Sequence, residues 1–316
     1  MKDEILSLLE KYDFVSGETL AEALGVSRAA IWKQIESLRR LGYEVESIRN
    51  KGYRLISKPD IPYSMEIVRN LDTKVIGRKL YYSKKLPSTN LFARELVDRK
   101  LSNGSVVVAD VQTHGRGRKD RTWFSPTGGL WFSVIIYPDI PPRKSMMLTM
   151  AASLGVVDGI KAITGIVPRI KWPNDVLIKG KKICGILTEI DAELDKINFA
   201  IIGIGLNVNN TLSTDFGKYA TTLRQEYGSK VSRVQLLRSI LKNFDEQYEK
   251  ITKCKYNDIR KNWLSFSQII GRHVRVHEEE KILDGIVNDV DEDGSLILKT
   301  DGRIHRVLSG DVEVLS

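Results

Sequence analysis

The first sixty residues carry two kinds of apolar spacing. Apolar side chains recur every three to four residues in 2–12, 20–24 and 28–41, which predicts three helices. The last two helices are separated by a short glycine-containing turn, and Ser27 is a suitable N-cap for the third. Residues 43–56 instead alternate on either side of an Asn-Lys-Gly turn, which predicts a hairpin. Together these elements predict a winged helix-turn-helix.

The rest of the chain mixes helices and strands, and a proline-containing linker at 58–62 precedes it. Strands are predicted over 79–83, 105–111, 130–137, 169–172, 176–178, 182–190 and 197–208, and helices over 64–71, 88–100, 145–163, 232–250 and 256–263. From Ile269 onward short strands follow, with turns at Asp293-Gly294 and Asp301-Gly302. The predicted fold class is α+β, with domains at 1–60, 61–266 and 267–316: a winged helix, a mixed sheet and an SH3-like β-barrel.

Charge is distributed unevenly along the chain. The formal net charge is +9, and residues 61–266 hold 33 basic and 19 acidic side chains. This excess predicts an anionic small ligand, an acidic protein partner, or both. No run is judged long or apolar enough to span a membrane, and the N-terminus is not that of a signal peptide. The two cysteines, Cys184 and Cys254, form no metal spacing, so a reducing cytoplasm is expected.

Within the first sixty residues the charges separate by sign. Residues 1–26 have a net charge of −4, and residues 27–60 have a net charge of +4. The basic side chains are Arg28, Lys33, Arg39 and Arg40 on the third helix and Arg49, Lys51 and Arg54 on the hairpin. The residues predicted to contact DNA are Ser27, Arg28, Lys33, Arg49 and Lys51. The alternative is a winged helix used for protein contacts. One such unit reads one half-site, so operator binding requires a dimer.

The loop after the 105–111 strand has an unusual composition. This segment, the arginine loop, spans 112–126 and reads Gln-Thr-His-Gly-Arg-Gly-Arg-Lys-Asp-Arg-Thr-Trp-Phe-Ser-Pro. Its basic side chains are Arg116, Arg118, Lys119 and Arg121, against the single acid Asp120. Gly115 and Gly117 allow the backbone to approach a ligand, arginines suit carboxylates and phosphates, and Trp123 can cover an apolar group. The alternative is a flexible surface connection.

Several chemistries lack their motifs in this sequence. There is no GxxxxGK[ST] phosphate loop, no GxSxG elbow and no HExxH, and the four histidines are scattered. The segment 203–208 is not a GxGxxG turn, because it lies late in a predicted strand. What remains is arginine, lysine and one carboxylate near glycine-rich loops. That set fits phosphoryl or adenylyl transfer without a covalent enzyme intermediate.

Three motifs resemble those of one family. Gly-Arg-Gly-Arg followed by Trp-Phe-Ser-Pro resembles the biotin-binding loop of biotin protein ligases. Lys-Trp-Pro-Asn-Asp at 171–175 resembles the central motif of that family, and Lys-Ile-Cys-Gly-Ile-Leu at 182–187 resembles a third motif. Order and spacing also match, from the first helix to the last strands. The chain resembles the bifunctional members that repress biotin synthesis genes, whose ligase domain is of the class II synthetase-like type.

The resemblance implies a reaction in two steps. Biotin carboxylate attacks the α-phosphate of ATP in the presence of Mg²⁺, which gives biotinyl-5′-AMP and pyrophosphate. A lysine of the biotin carboxyl carrier protein domain of a carboxylase then attacks the mixed anhydride. The resemblance also implies operator DNA as a partner, a homodimer on ligand binding and no membrane.

The same resemblance gives roles to particular residues. Catalysis is expected of Lys182, Arg118 and Asp175. Biotin and adenylate binding are expected of Ser88, Thr89, Asn90, Gln112, Gly115, Arg116, Gly117, Arg118, Arg121, Trp123, Lys182 and Gly185. Nucleotide binding is expected of Asn174 and Asn207. No side-chain cluster predicts a resident metal, and Mg²⁺ would enter with ATP near Asp175.

Some assignments have plain structural alternatives. Ser88 is also a predicted N-cap, Lys182 alone could be a solvated lysine, and Asp175 could cap the turn before it. The loop 209–223 is expected to cover adenine but contains no tryptophan, which leaves Tyr219 as the candidate. Two rival functions are a DNA-binding biotin sensor with weak catalysis and a lipoate or octanoate ligase of related fold. Intact Lys182 and Asp175 argue against the first rival, and the arginine loop with its tryptophan argues against the second.

Overall fold

The computed structural model describes residues 1–69, 71–213, 216–278, 281–300 and 302–315. The chain forms two compact units, Met1–Ile61 and Pro62–Ser316. Asp301 of the second predicted C-terminal turn lies outside the described residues. The domain boundary predicted at 266/267 stays a prediction, because side chains on both sides of it join one hydrophobic core.

The first unit is a winged helix-turn-helix, as the apolar spacing predicts. Its elements are α1 (Lys2–Lys11), α2 (Gly17–Leu24), α3 (Arg28–Arg40), β1 (Glu44–Ile48) and β2 (Gly52–Ser57). The Ser27 hydroxyl accepts a hydrogen bond from the Ala30 amide, 3.2 Å away, and thereby caps the recognition helix α3. Ile31, Ile35 and Leu38 on one face of α3 are fully buried. The helix is therefore fixed by its inner face, which leaves its outer face for a partner.

The second unit contains the predicted mixed sheet. Its helices are α4 (Ser64–Val68), α5 (Thr89–Val97), α6 (Met146–Thr164), α7 (Leu223–Tyr227), α8 (Arg233–Thr252) and α9 (Tyr256–Phe266). Its strands are β3 (Leu80–Leu86), β4 (Ser105–Gln112), β5 (Leu130–Ile136), β6 (Arg169–Lys171), β7 (Asp175–Ile178), β8 (Lys181–Ala192) and β9 (Ile197–Leu206). The sheet order is β3-β4-β5-β9-β8-β7-β6, with only the β3–β4 pair parallel. The short α7 was not predicted.

Helices cover both faces of this sheet. The larger core packs α6 and α8 against one face, where Phe132 and Val134 of β5 alternate with residues that point the other way. On the opposite face α5 packs through Ala93 and Leu96 against Ile135 and its neighbours. Both faces of the central strands are therefore buried. The sheet is rigid under the loops at its ends, where a site needs a fixed support.

Helix α6 corrects one expectation from the sequence. The segment Pro142–Thr164 is long and apolar enough to cross a membrane by length and composition alone, which the sequence reading denied. In this protein it is mostly buried as a core helix. Gly155 and Gly159 leave no room for a Cβ atom, because α8 approaches at Phe244 and Ile240. The apolar character of α6 is explained by packing against α8.

The C-terminal segment forms an all-antiparallel sheet of five strands. They are β10 (His273–His277), β11 (Ile282–Val290), β12 (Leu296–Thr300), β13 (Arg303–Val307) and β14 (Asp311–Val314), in the order β13-β12-β11-β10-β14. The Trp172 indole donates a hydrogen bond to the Gly294 carbonyl at 3.0 Å, which ties this sheet to the larger one. The start of β14 lies close to the arginine loop, where Arg121 pairs with Asp311.

Candidate active site and DNA-binding surface

Glycines on two neighbouring strands form the floor of a small cavity. The cavity measures about 50 Å³, and its floor includes Gly185 of β8 with Gly203 and Gly205 of β9. A Cβ atom at Gly203 would overlap the Asn90 side chain, and one at Gly205 would overlap the Trp123 ring. The Gly-Ile-Gly spacing at 203–205, which is not a dinucleotide-binding motif, therefore leaves room for the Asn90 and Trp123 side chains. Alternate glycines on one strand face were the signal for it.

One end of the cavity is polar and tightly bonded. Gln112 Oε1 accepts hydrogen bonds from the Thr89 amide at 2.8 Å and the Thr89 hydroxyl at 3.1 Å. The Ser133 hydroxyl lies 2.7 Å from Thr89 Oγ1 and donates to Asn90 Oδ1 at 2.6 Å. Ser88 occupies the N-cap position of α5 without a side-chain capping bond, and it lines the cavity. Sequence reasoning missed Ser133, although it is the one polar residue of the otherwise apolar strand β5.

The arginine loop folds back on itself and covers this cavity. The Trp123 amide donates to the Gly115 carbonyl at 2.8 Å, and the Gly117 amide donates to the Arg121 carbonyl at 2.7 Å. The Gln112 amide group donates to Ser125 Oγ at 2.8 Å. These bonds place the Trp123 ring against the glycine floor. Its Nε1 is buried without a hydrogen-bond partner among the described residues.

The loop arginines point in different directions. Arg118 donates to Asn174 Oδ1 at 3.3 Å and to the Gly310 carbonyl at 3.2 Å, and it lines the cavity. Arg116 also lines the cavity. Arg121 instead pairs with Asp311 at 2.5 Å and lies off the cavity. Its guanidinium contacts the start of β14 and not the cavity lining, so its predicted ligand contact stays a prediction.

The basic side chains of the arginine loop lower the pKa of Asp311, the acidic residue that they contact. Burial acts to raise the pKa of Asp311, but Arg121, Lys119 and Arg118 outweigh it and hold that pKa below its ordinary value. Lys119 lies 3.6 Å from the same carboxylate. The C-terminal strand therefore holds the loop down with a charged carboxylate. Sequence reasoning did not select Asp311, because its partner Arg121 lies 190 residues earlier in the chain.

A second cavity lies on the far side of Trp123. It measures about 190 Å³, and its lining is Trp123, Phe124, Lys182, Asn207, Leu212, Tyr219 and Ala220. Lys182 Nζ lies 2.6 Å from Asp175 Oδ1 and 5.2 Å from the centroid of the Trp123 ring. The structure thus gives Lys182 a specific place, between a carboxylate and the aromatic wall shared by both cavities.

The segment 209–223 runs beside this second cavity. The Lys182 amide donates to the Tyr219 carbonyl at 2.8 Å, and the Thr221 amide donates to the Lys182 carbonyl at 3.0 Å. Tyr219 is 77% exposed on the cavity wall. Asn207 is buried, and its Oδ1 accepts a hydrogen bond from the Asn210 side chain at 3.1 Å. Residues 214 and 215 lie outside the described part of the chain.

Two further groups bear on the chemistry of the site, the Cys184 thiol and the Asp175 carboxylate. The described residues contain no group of three His, Cys, Asp or Glu side chains that could hold a metal ion. Cys184 is buried, and burial raises the pKa of its thiol, which keeps it protonated. Asp175 is a single carboxylate beside the second cavity, which suits a magnesium ion that arrives with phosphates.

The first unit has a groove of its own between α3 and the hairpin. It measures about 670 Å³, and Arg28, Trp32, Arg49 and Lys51 are among its lining residues. Lys33 is exposed on α3 outside this groove. Trp32 is 55% exposed and was not predicted. This arrangement places cations from the helix and the hairpin on one surface, as DNA binding requires.

Two basic residues of this unit are bound internally and do not contribute to that surface. Arg39 donates to the Val45 carbonyl at 2.6 Å and pairs with Glu36 at 2.5 Å. Arg54 pairs with Glu46 at 2.8 Å. Sequence reasoning counted both among the cations available to phosphates. The hairpin uses them to fix its own position against α3 and between its strands.

The fold and the two-part site define a ligase domain in one chain with a winged helix-turn-helix. Comparison with known proteins agrees. Residues 82–207 match the biotin/lipoate A/B protein ligase family, 2–54 match an HTH domain, and 269–315 match the biotin protein ligase C terminal domain.

Individual relatives are similar over almost the whole chain. The bifunctional ligase/repressor BirA of Bacillus subtilis is 43% identical, over 96% of this chain and 94% of that protein. The protein of that name from Escherichia coli is 28% identical, over 99% and 97%. The biotin protein ligase from Aquifex aeolicus in complex with biotin and ATP superposes with a TM-score of 0.65, at 30% identity, over 75% of this chain and 98% of that one. The chain belongs to the family of bifunctional biotin protein ligases that also act as repressors.

Proposed function

We propose that the chain activates biotin with ATP as biotinyl-5′-AMP, with release of pyrophosphate. It then transfers the biotinyl group to a lysine of a carrier protein, with release of AMP. The observation that carries this proposal is the pair of cavities that share Trp123, with Lys182 beside the junction. A ligand activated at a carboxylate must bind with that carboxylate next to the nucleotide. The shared aromatic wall brings the two substrates together at that point.

The polar end of the first cavity suits a cyclic urea. Thr89 and Asn90, which are buried, and Gln112, which is partly buried, supply donors and acceptors there. The glycine floor and Trp123 suit the apolar ring and chain of biotin. A lipoate or octanoate group carries no cyclic urea, so it would offer no N–H or urea carbonyl group to these side chains. The polar end therefore argues against this rival.

The cations at the junction provide for charge that develops in the first step. Biotin carboxylate and the α-phosphate are both anions, so their approach needs a positive group between them. Lys182 lies at the junction, and Arg118 reaches the cavity from the loop. In this proposal Lys182 stabilises charge at phosphorus, while Arg118 holds the loop over the product. Mg²⁺ bound with ATP would neutralise phosphate charge near Asp175.

The second step needs the amine of the acceptor lysine beside the carbonyl carbon of the mixed anhydride in biotinyl-5′-AMP. Asp175 stands beside Lys182 and is only partly exposed. We assign it the orientation of the incoming lysine of a biotin carboxyl carrier domain. The closed loop excludes water from the mixed anhydride until that lysine arrives. No covalent bond to the enzyme is formed, in keeping with the protonated Cys184 thiol.

Native mass spectrometry tests this function directly. Purified protein mixed with biotin, ATP and Mg²⁺ is expected to retain biotinyl-5′-AMP, while lipoate in place of biotin is expected to leave no adenylate. Pyrophosphate release measures the same step in solution. A biotin sensor with weak catalysis would bind biotin but release no pyrophosphate above the rate without enzyme.

We further propose that ligand binding promotes a homodimer, which binds operator DNA in the cytoplasm. Strand β8 extends past β7, and in the described chain its segment 187–192 has a strand neighbour on one side alone. A free edge of this kind can pair with a second copy around a twofold axis. Two copies carry two winged helices, which a palindromic operator requires.

Biotin with ATP is expected to strengthen dimerisation roughly five- to 150-fold, the usual range for coupled sites. Ordering of the loop by ligand lowers the entropic cost of a surface near it. Ile190→Lys, on the exposed edge, is expected to abolish this gain and to retain pyrophosphate release. Ile304→Lys on β13 is the control, since Ile304 is also an exposed apolar residue on a strand.

Sedimentation velocity and operator binding, with and without ATP plus biotin, measure this coupling at one stated salt concentration. Equal dimerisation and equal operator affinity in the two conditions would refute the ligand switch. Ligand-dependent dimerisation that survives in Ile190→Lys would move the interface away from β8. Neither result would affect the ligase proposal.

A further inference from the structure

Glu189 lies where the polar end of the first cavity meets the arginine loop. It belongs to β8 and pairs across the sheet with Ile201 of β9. Its Oε2 accepts a hydrogen bond from Asn90 Nδ2 at 2.7 Å, and its Oε1 accepts one from Arg116 at 3.4 Å. The two carboxylate oxygens thus contact two separate parts of the site, the start of α5 and the loop.

The contact with Asn90 fixes the orientation of an amide that lines the cavity. A carboxylate only accepts hydrogen bonds, so the side of Asn90 that faces Glu189 must be its NH₂ group. The carbonyl oxygen then faces the Ser133 hydroxyl, 2.6 Å away. Asn90 is buried, so a reversed amide would leave polar atoms unpaired. Glu189, together with the longer contact of Asn90 Nδ2 to the Leu187 carbonyl at 3.5 Å, therefore determines which atoms Asn90 presents to a ligand.

The contact with Arg116 joins the loop to the sheet. The other acidic partner of Arg116 is Asp120, at 3.8 Å, which belongs to the same loop and is 95% exposed. Only the Glu189 contact of these two can hold the loop against the cavity. The far side of the loop is held separately, through Arg118 with Asn174 and Gly310. The loop is thus held on one side by Asn174, Gly310 and Asp311 and on the other side by Glu189.

We propose that Glu189 is a positioning residue that couples the ligand-contacting amide of Asn90 to closure of the loop through Arg116. This inference rests on the proposed function, because it concerns retention of biotin in the first cavity. When the loop opens, one oxygen of Glu189 loses its partner, and the carboxylate holds Asn90 less firmly. Biotin retention and loop closure therefore support each other through one side chain. The nucleotide cavity does not include Glu189.

The test is Glu189→Gln, which keeps the shape and removes the charge. Glutamine can accept from only one of its two neighbours, and its own NH₂ then faces the other donor. We expect biotin to dissociate roughly tenfold faster, as for loss of one charge-assisted hydrogen bond. The KM for biotin should rise by a similar factor, with the KM for ATP unchanged. Biotin dissociation is measured by stopped-flow tryptophan fluorescence, and the melting temperature checks folding.

Two further variants make the outcome decisive. Glu193→Gln at the exposed tip of the same hairpin is the matched control and should behave as wild type. In the double variant Arg116→Gln with Glu189→Gln, the increase in the biotin dissociation rate should be smaller than the product of the two single increases. Each single substitution already removes the same contact between Arg116 and Glu189. A Glu189→Gln protein with wild-type biotin kinetics, or a fully multiplicative double variant, would overturn the proposal. Wild-type protein that binds no biotin would instead overturn the proposed function itself.

Discussion

Lys182→Ala is expected to slow pyrophosphate release by roughly a hundredfold to a thousandfold, the usual cost of removing one group that stabilises transition-state charge. Biotin affinity should change far less. Lys182 lines the second cavity and not the first, and its ammonium group lies 2.6 Å from Asp175. The charge it meets is greatest when carboxylate and phosphate join, so its loss affects kcat more than biotin binding.

The measurement compares pyrophosphate release with direct biotin binding for the same preparations. Lys181→Ala is the control, since Lys181 precedes Lys182 on β8 and is exposed. Lys182→Arg keeps the charge and is expected to recover part of the rate. Near-normal turnover in Lys182→Ala would remove Lys182 from the mechanism. An equal loss of rate and biotin affinity would show that the alanine variant disturbs the whole pocket.

Arg118→Gly is expected to release biotinyl-5′-AMP into solution roughly tenfold to a hundredfold faster than wild type. The Arg118 guanidinium donates to Asn174 Oδ1 and the Gly310 carbonyl, and so fastens the loop to two other segments. A hydrogen bond to a charged group is worth about 1.5–3 kcal/mol, which corresponds to that range. Glycine also restores backbone freedom to the loop. Released anhydride then acylates any nearby lysine.

Labelling of a bystander protein that lacks a carrier domain measures this release. Arg121→Gly separates two explanations, because Arg121 pairs with Asp311 but lies off the cavity. If general loosening of the loop caused the release, both variants would label bystanders. If the place of Arg118 at the cavity matters, only Arg118→Gly would do so. Arg99→Gly, an exposed arginine after α5, controls for the change of charge. An Arg118→Gly protein that labels the carrier domain alone would contradict the prediction.

Local patterns were sufficient for the winged helix and for the succession of strands along the chain. Ser27 caps α3 through an atom only three residues away, and the apolar spacing of Ile31, Ile35 and Leu38 faces the core as predicted. The helix α6 was predicted as an element, but which helix it packs against was not. Whether an apolar helix lies in a membrane or a core depends on α8, which is distant in sequence.

The charged residues show the same division. Sequence reasoning grouped Arg39 and Arg54 with the DNA-facing cations, and Arg121 with the ligand contacts. The structure pairs them with Glu36, Glu46 and Asp311. The sequence shows that a side chain is basic. Which group it pairs with depends on the carboxylates that the folded structure brings close to it. In the case of Arg121 that carboxylate lies 190 residues further along the chain.

The sequence by itself determined the helices other than α7, the strands and turns, the cationic loop, and the motifs through which the chain resembles biotin protein ligases. These depend on dihedral preferences, caps and spacing within a few residues. Only the tertiary structure decided that Gly203 and Gly205 form a floor, that Ser133 and Glu189 orient Asn90, and that Trp123 separates two cavities. Asn90 and Glu189 meet across 99 residues, and only the pairing of β8 with β9 and the packing of α5 on the sheet bring them together.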